Sequence, residues 1–120
     1  MEKIIEIKNL VKKYDNLAIL SNISFNIYRG DFVSVIGPNG CGKSTLMKII
    51  CGLERKTSGI VKKTGKLKIG LVFQNCNESL LPWRDVYGNI SLPLEIISNN
   101  QKSNIKAINK ITKEFGLEVH

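Results

Sequence analysis

The sequence predicts an α/β fold built around a phosphate-binding loop, and three observations predict it. The stretch Gly37-Pro38-Asn39-Gly40-Cys41-Gly42-Lys43-Ser44-Thr45 fits the pattern G-x-x-x-x-G-K-[ST]. The mostly apolar run Phe32-Val33-Ser34-Val35-Ile36 leads into it and suits a buried parallel strand. Leu46, Ile49, Ile50 and Leu53 follow at helical spacing, with Gly52 where a helix should wind down. The motif carries its chemistry only between a strand and a helix. A glycine-rich turn with a surface lysine would lack both flanks.

The remaining elements read as follows. Ile5 and Ile7 alternate with Glu6 and Lys8, the mark of a half-exposed strand. Ile23, Phe25 and Ile27 alternate with Ser24 and Asn26 in the clearest period-two signal of the chain. Tyr28-Arg29-Gly30-Asp31 is turn chemistry that delivers the chain into the strand before the loop. After the helix, Thr57-Ser58-Gly59 forms a turn, and Ile60-Val61 and residues 67–73 read as strands about Thr64-Gly65. Residues 85–97 look helical but are interrupted by Gly88 and Pro93. Residues 101–115 make the best amphipathic helix, with Ile105, Ile108, Ile111 and Phe115 opposite Lys102, Lys106, Lys110 and Lys113, and Gly116 closing it.

Each position of the loop has a mechanical reason. Gly37, Gly40 and Gly42 can take positive φ, so that several N–H groups turn inward toward phosphate oxygens. The helix starting near Gly42 adds the positive end of its dipole. Lys43 would reach the β- and γ-phosphates, and the Ser44 hydroxyl would ligate Mg²⁺.

Composition narrows the class. At 120 residues there is room for one modest domain with a real core, and 42% apolar with 23% charged residues is ordinary for a globular protein. The apolar runs are far shorter than a membrane span, and the N-terminus lacks a signal-peptide layout, so a cytosolic protein is expected. Cys41, Cys51 and Cys76 have no metal-like spacing and are expected to be reduced thiols. A net charge of +8 raises nucleic-acid binding. The lysines, however, lie on a helix face or around turns with no interleaved aromatic residues, so nucleic acid is not the expected partner.

On these residues the chain resembles the N-terminal part of an ABC transporter nucleotide-binding domain, over its whole length (1–120). The resemblance implies a P-loop NTPase fold: a mixed sheet with an N-terminal antiparallel portion, the phosphate-loop helix and a C-terminal helical segment. It implies ATP and Mg²⁺ as ligands, with Gly37 to Thr45 on the phosphates. Tyr14, after Val11-Lys12-Lys13, stands where that family stacks an aromatic ring on adenine, although a tyrosine could equally pack at a strand end. Gln74, after Leu71-Val72-Phe73, resembles the Q-loop glutamine that senses water and Mg²⁺. Ser44 and Gln74 would then share the metal, and Lys43 would offset transition-state charge.

Leu80-Leu81-Pro82-Trp83-Arg84 is similar to a segment of nitrate, sulfonate and taurine importers that packs on the transmembrane permease subunit. An internal hydrophobic latch is the alternative for Leu80, Leu81, Pro82 and Trp83. The stretch between Gln74 and Leu80 is longer than that subfamily suggests. The resemblance also implies a second ATPase subunit, as a homodimer in the full-length protein, and a cytoplasmic location on the inner face of the membrane.

The family's other half is missing from the sequence. Ser58-Gly59 is followed by Ile60, so no Ser-Gly-Gly signature occurs. Of the ten carboxylates, Asp85, Glu95 and Glu118 come nearest to an acid after an apolar run, and none has the Walker B setting. The only histidine is His120, the last residue. A truncated chain is therefore expected, with conditional nucleotide binding and near-background hydrolysis. The favoured reading is the ATP-binding subunit of an importer for a small solute. A soluble ABC protein acting on RNA or DNA and a non-catalytic nucleotide-binding remnant are the competing readings.

Overall fold

The computed structural model describes residues 1–75, 77, 79–97 and 101–117, without the side chains of Gln101 and Lys102. Cys76, the Lys102 side chain, Glu118 and His120 lie outside the described residues. The chain divides into two compact units, Met1–Leu71 and Val72–His120, where sequence length suggested one domain.

The first unit is a three-stranded antiparallel sheet with one helix packed on it. Strand β1 (Lys3–Tyr14) is central, flanked by β2 (Leu17–Tyr28) and β3 (Ser58–Lys63). The hairpin between β1 and β2 turns on Asp15 and Asn16, with Asp15 at φ 50 and Tyr14 paired to Leu17. Asp and Asn suit such a position because their short polar side chains tolerate the left-handed region.

Two bulges set which side chains enter the core. Against β2, Ile7 pairs with Phe25 and Leu10 with Ile23, so β1 carries one extra residue there, and Asn9 takes φ 48. The Asn9 N–H donates to Ser24 Oγ at 2.8 Å. Further along, Leu10 pairs with Ile23 and Lys12 with Leu20, so the extra residue is now on β2, where Asn22 has φ 53. Each bulge shifts the two-residue alternation by one. Ile5 and Ile7, then Leu10 and Lys12, are therefore all buried from β1.

Helix α1 (Lys43–Cys51) presents Leu46, Ile49 and Ile50 to Ile5, Ile7, Leu10 and Leu20, and this is the core of the unit. It stops where the sequence suggested. Gly52 (φ 84) donates its N–H to Ile49 O at 3.1 Å, and Leu53 donates to Lys48 O at 2.8 Å, which is a Schellman cap. Leu53 falls beyond the helix and is exposed, not part of its apolar face as its spacing suggested.

Two expected strands are not in the sheet. Residues 32–36 run into the phosphate loop without a ladder partner, leaving Phe32 97% and Ile36 91% exposed while Val35 packs on the core. Residues 67–73 are likewise unpaired, with Leu67 against the core and Val72 exposed. A parallel strand needs a neighbour at its edge, and none of the described segments supplies one to either stretch.

The second unit packs α2 (Val86–Ile97) against α3 (Gln101–Glu114). Helix α2 runs unbroken through Gly88 and Pro93. Asp85 caps it, accepting the Gly88 N–H at 2.7 Å. In α3 only Ile108 of the predicted apolar face is buried; Ile105, Ile111 and Phe115 remain exposed. Gly116 ends it, with the Leu117 N–H on Thr112 O at 2.8 Å.

Candidate phosphate-binding site

Between Asp31 and Glu54 the sequence contains no carboxylate, while Lys43 and Lys48 are both present. The loop is therefore electropositive before any geometry is considered. Geometry adds to this. Helix α1 begins at Lys43 with Gly42 as its N-cap, at φ 96, with no side-chain cap and no acidic residue in the first turn. The Leu46 N–H donates to Gly42 O at 2.9 Å as the first helical bond. The N–H groups of Lys43, Ser44 and Thr45 precede it, at the positive end of the helix dipole.

Lys43 folds back across the loop. Its Nζ lies 2.7 Å from Gly37 O and 2.7 Å from Pro38 O, and 3.9 Å from Cys41 Sγ. The ammonium thus holds the loop curled from its C-terminal end. The Cys41 N–H donates to Pro38 O at 3.4 Å and tightens the same turn.

The glycines divide the work differently from expectation. Gly40 and Gly42 have positive φ, but Gly37 does not. Gly37 is needed for space, because a Cβ there would lie 2.7 Å from Cys41 Sγ. Gly42 needs both: a Cβ would sit 2.8 Å from Leu20 Cδ2 and 2.9 Å from Ile19 Cγ2. Strand β2 thus presses directly on the helix start, which the sequence reading missed. The contact pairs residues far apart in sequence, so no local pattern shows it.

The donor set fits a polyphosphate: one ammonium, the first amides of a helix and the exposed Ser44 hydroxyl. Pro38, Asn39 and Gly40 form the exposed rim, and Thr45 is half-buried. Among the described residues no group of three His, Cys, Asp or Glu could hold a metal ion. A Mg²⁺ ion here would draw one ligand from Ser44 and others from phosphate oxygens.

Tyr14 lies in the same unit, at the end of β1, and is 45% exposed. Lys12 Nζ stands 4.4 Å from its ring centroid. Lys12 also donates to Glu54 Oε1 at 2.6 Å and to Arg55 O at 2.8 Å. Hydrogen bonding from Lys12, with a smaller contribution from Tyr14, holds the Glu54 carboxyl below its usual range. Gln74 is exposed in a bend of the second unit.

In that second unit the segment from Leu80 to Trp83 is a clamped turn. Asn89 Oδ1 accepts the Leu81 N–H at 2.7 Å, and Nδ2 donates to Leu81 O at 3.1 Å and Arg84 O at 3.0 Å. Arg84 bonds Glu95, whose carboxyl Ser91 and then Arg84 hold low. Leu80, Pro82 and Trp83 stay exposed, Trp83 at 76%, and Leu81 is half-buried. An internal latch would bury the tryptophan; this turn displays it.

Comparison with known proteins identifies the family. Residues 20–119 match the family model described as ABC transporter. The chain is 33% identical over 125 residues to the spermidine/putrescine import ATP-binding protein PotA of Thermotoga maritima, covering 97% of this chain and 33% of that protein. It is 38% identical over 94 residues to the aliphatic sulfonates import ATP-binding protein SsuB 1 of Paraburkholderia xenovorans, covering 75% and 27%. The dimeric, post-hydrolysis ATP-binding cassette MJ0796, bound to ADP and Pi, matches with a TM-score of 0.78 at 33% identity, over 91% of this chain and 56% of that one. The chain thus spans between about a quarter and a half of the curated relatives it matches. With a lysine-laced loop entering an uncapped helix, and a family match that begins in β2 and runs through both units, the chain belongs to the ABC transporter family, within its ATP-binding domain.

Proposed function

We propose that this chain forms the nucleotide-gripping part of an ATP-binding subunit that drives import of a small solute through a separate membrane subunit. The observation that carries the nucleotide reading is the Lys43 ammonium drawn across the loop, beside helix amides with no side-chain cap. Gly37 to Thr45 hold the phosphates, Lys43 neutralises the β/γ end, and Ser44 and Gln74 serve the Mg²⁺. Tyr14 offers its exposed ring to adenine. The bound nucleotide supplies the phosphoanhydride whose cleavage drives transport; these residues bind and orient it.

The relatives named as importers support the uptake role, and the MJ0796 dimer supports pairing with a second ATPase subunit. The exposed Trp83 turn is the surface for the membrane subunit, on the cytoplasmic face. Among the described residues no helix is long and apolar enough to cross a membrane.

The test is a titration of the protein with a fluorescent ATP analogue and Mg²⁺, beside Lys43→Ala. The substitution removes the only ammonium on the loop and is expected to weaken binding by tenfold or more, on the scale of a charge-assisted contact. Equal binding by the two proteins would refute the assignment.

A further inference from the structure

Lys12 has no part in the function proposed above, yet its setting is unusual. Lysine is seldom buried without a partner, and Lys12 is only 8% exposed, on a strand whose other inward residues are Ile5, Ile7 and Leu10. Its ammonium has three neighbours: Glu54 Oε1 at 2.6 Å, Arg55 O at 2.8 Å and the Tyr14 ring, with its centroid at 4.4 Å. A structural tie would need only the first two. The third is an aromatic face, and that ring is nearly half exposed. A cation over one face of a ring is held by its quadrupole and fixes the plane of the ring.

We propose that Lys12 is a positioning residue for the nucleotide base: it holds one face of Tyr14 so that the other is presented, already oriented, to a purine. The inference rests on reading Tyr14 as the base platform. Lys12 also joins two ends of the site. Glu54 and Arg55 follow the C-terminal cap of α1, whose first turn carries Lys43, Ser44 and Thr45 at the end of the phosphate loop. The lysine therefore ties the base platform to the helix that grips the phosphates. An oriented ring loses less freedom on binding than a free one, so the contribution appears as base-dependent affinity.

The test compares two probes, MgATP and inorganic tripolyphosphate with Mg²⁺, on the 120-residue chain and four variants. Lys12→Met keeps the length of the side chain and removes the charge. It is expected to weaken ATP binding about fivefold to tenfold while leaving tripolyphosphate binding unchanged, and Lys12→Arg should restore ATP binding. A general loss of structure would weaken both probes together, and that result overturns the proposal. Tyr14→Ala separates the two readings. If it leaves ATP and tripolyphosphate binding unaltered, Tyr14 is not the base platform and both readings fall. If it weakens ATP alone while Lys12→Met does not, only the role of Lys12 falls. Lys43→Ala should weaken both probes.

A measurement on the unsubstituted chain makes the answer independent of how Lys12→Met folds. The Lys12 ε-methylene protons should show an upfield ring-current shift that persists when ATP binds, while adenine protons gain contacts to the same tyrosine ring. Loss of the lysine shift on ATP addition would sink the idea.

Discussion

Gly42 is constrained twice: by a backbone angle that L-residues avoid and by the side chains of Ile19 and Leu20 lying where a Cβ would go. Gly42→Ala is accordingly expected to cost about 1–3 kcal/mol in folding stability and to weaken ATP binding, read by denaturant unfolding and by titration. A second residue-scale prediction concerns acid. Glu6 accepts hydrogen bonds from Lys3 and Lys8, which lower its pKa from 4.5 to about 2. A carboxylate depressed in the folded state contributes stability above its unfolded pKa. That contribution fades as pH falls from about 4.5 toward 2. Unfolding midpoints measured across this window should drop less steeply for Glu6→Gln than for the unsubstituted chain. At this scale the loop residues were legible, because the motif encodes donor chemistry directly. The burial of Lys12 was not, since the Asn9 bulge is what turns position 12 inward.

Among the elements, the pairing of β1 with β3 depends on one glycine. Lys8 pairs with Ile60 and Val11 with Ser58, so Gly59 sits opposite the β1 bulge, at φ 88. A Cβ at Gly59 would press on the Asn9 carbonyl and lie 2.7 Å from Leu10 Cα. Backbone cannot swing aside as a side chain does. Gly59→Ala should therefore lower stability by about 2 kcal/mol or more, with β1–β3 amides losing hydrogen-exchange protection before those of β1–β2. The period-two pattern of β2 and the helical spacing of α1 were readable because each packs a face against a neighbour present in the chain, whereas α3 buries only Ile108 of its predicted apolar face. Residues 32–36 carry an equally good strand pattern, yet pattern alone forms no ladder without a partner strand. Helix α2 shows the converse. Gly88 and Pro93 argued against it locally, but Gly88 is bonded by the Asp85 cap, and the helix packs on α3, which offsets the N–H that Pro93 lacks.

For the whole molecule, exposed apolar surface sets solution behaviour. Phe32 and Ile36 are almost fully open to water in the first unit, beside a groove of about 250 Å³ lined by Phe25, Ile27, Val33, Val35 and Met47. Such surface promotes self-association. Light scattering and binding of a hydrophobic dye should both fall in Phe32→Ser/Ile36→Thr, without loss of secondary structure. In the second unit Trp83 is the only tryptophan of the chain, so fluorescence reports that turn alone. Its emission should be red and readily quenched in the free chain, and should shift to the blue if a membrane subunit docks there as proposed above. Asn89→Ala, which removes the clamp on Leu81 and Arg84, should weaken that shift.

The sequence alone determined the family and the donor chemistry of the proposed phosphate loop, because amides, an ammonium and a hydroxyl at fixed spacing are local chemistry that one short segment carries whole. It also placed the helices, whose apolar spacing is repeated within each. Tertiary structure decided the rest: the bulges that rephase β1 and β2, the pressure of Ile19 and Leu20 on Gly42, the ring over which Lys12 sits, and which apolar runs find a partner. These depend on contacts between residues distant along the chain, and a pattern within one segment holds no information about what will pack against it.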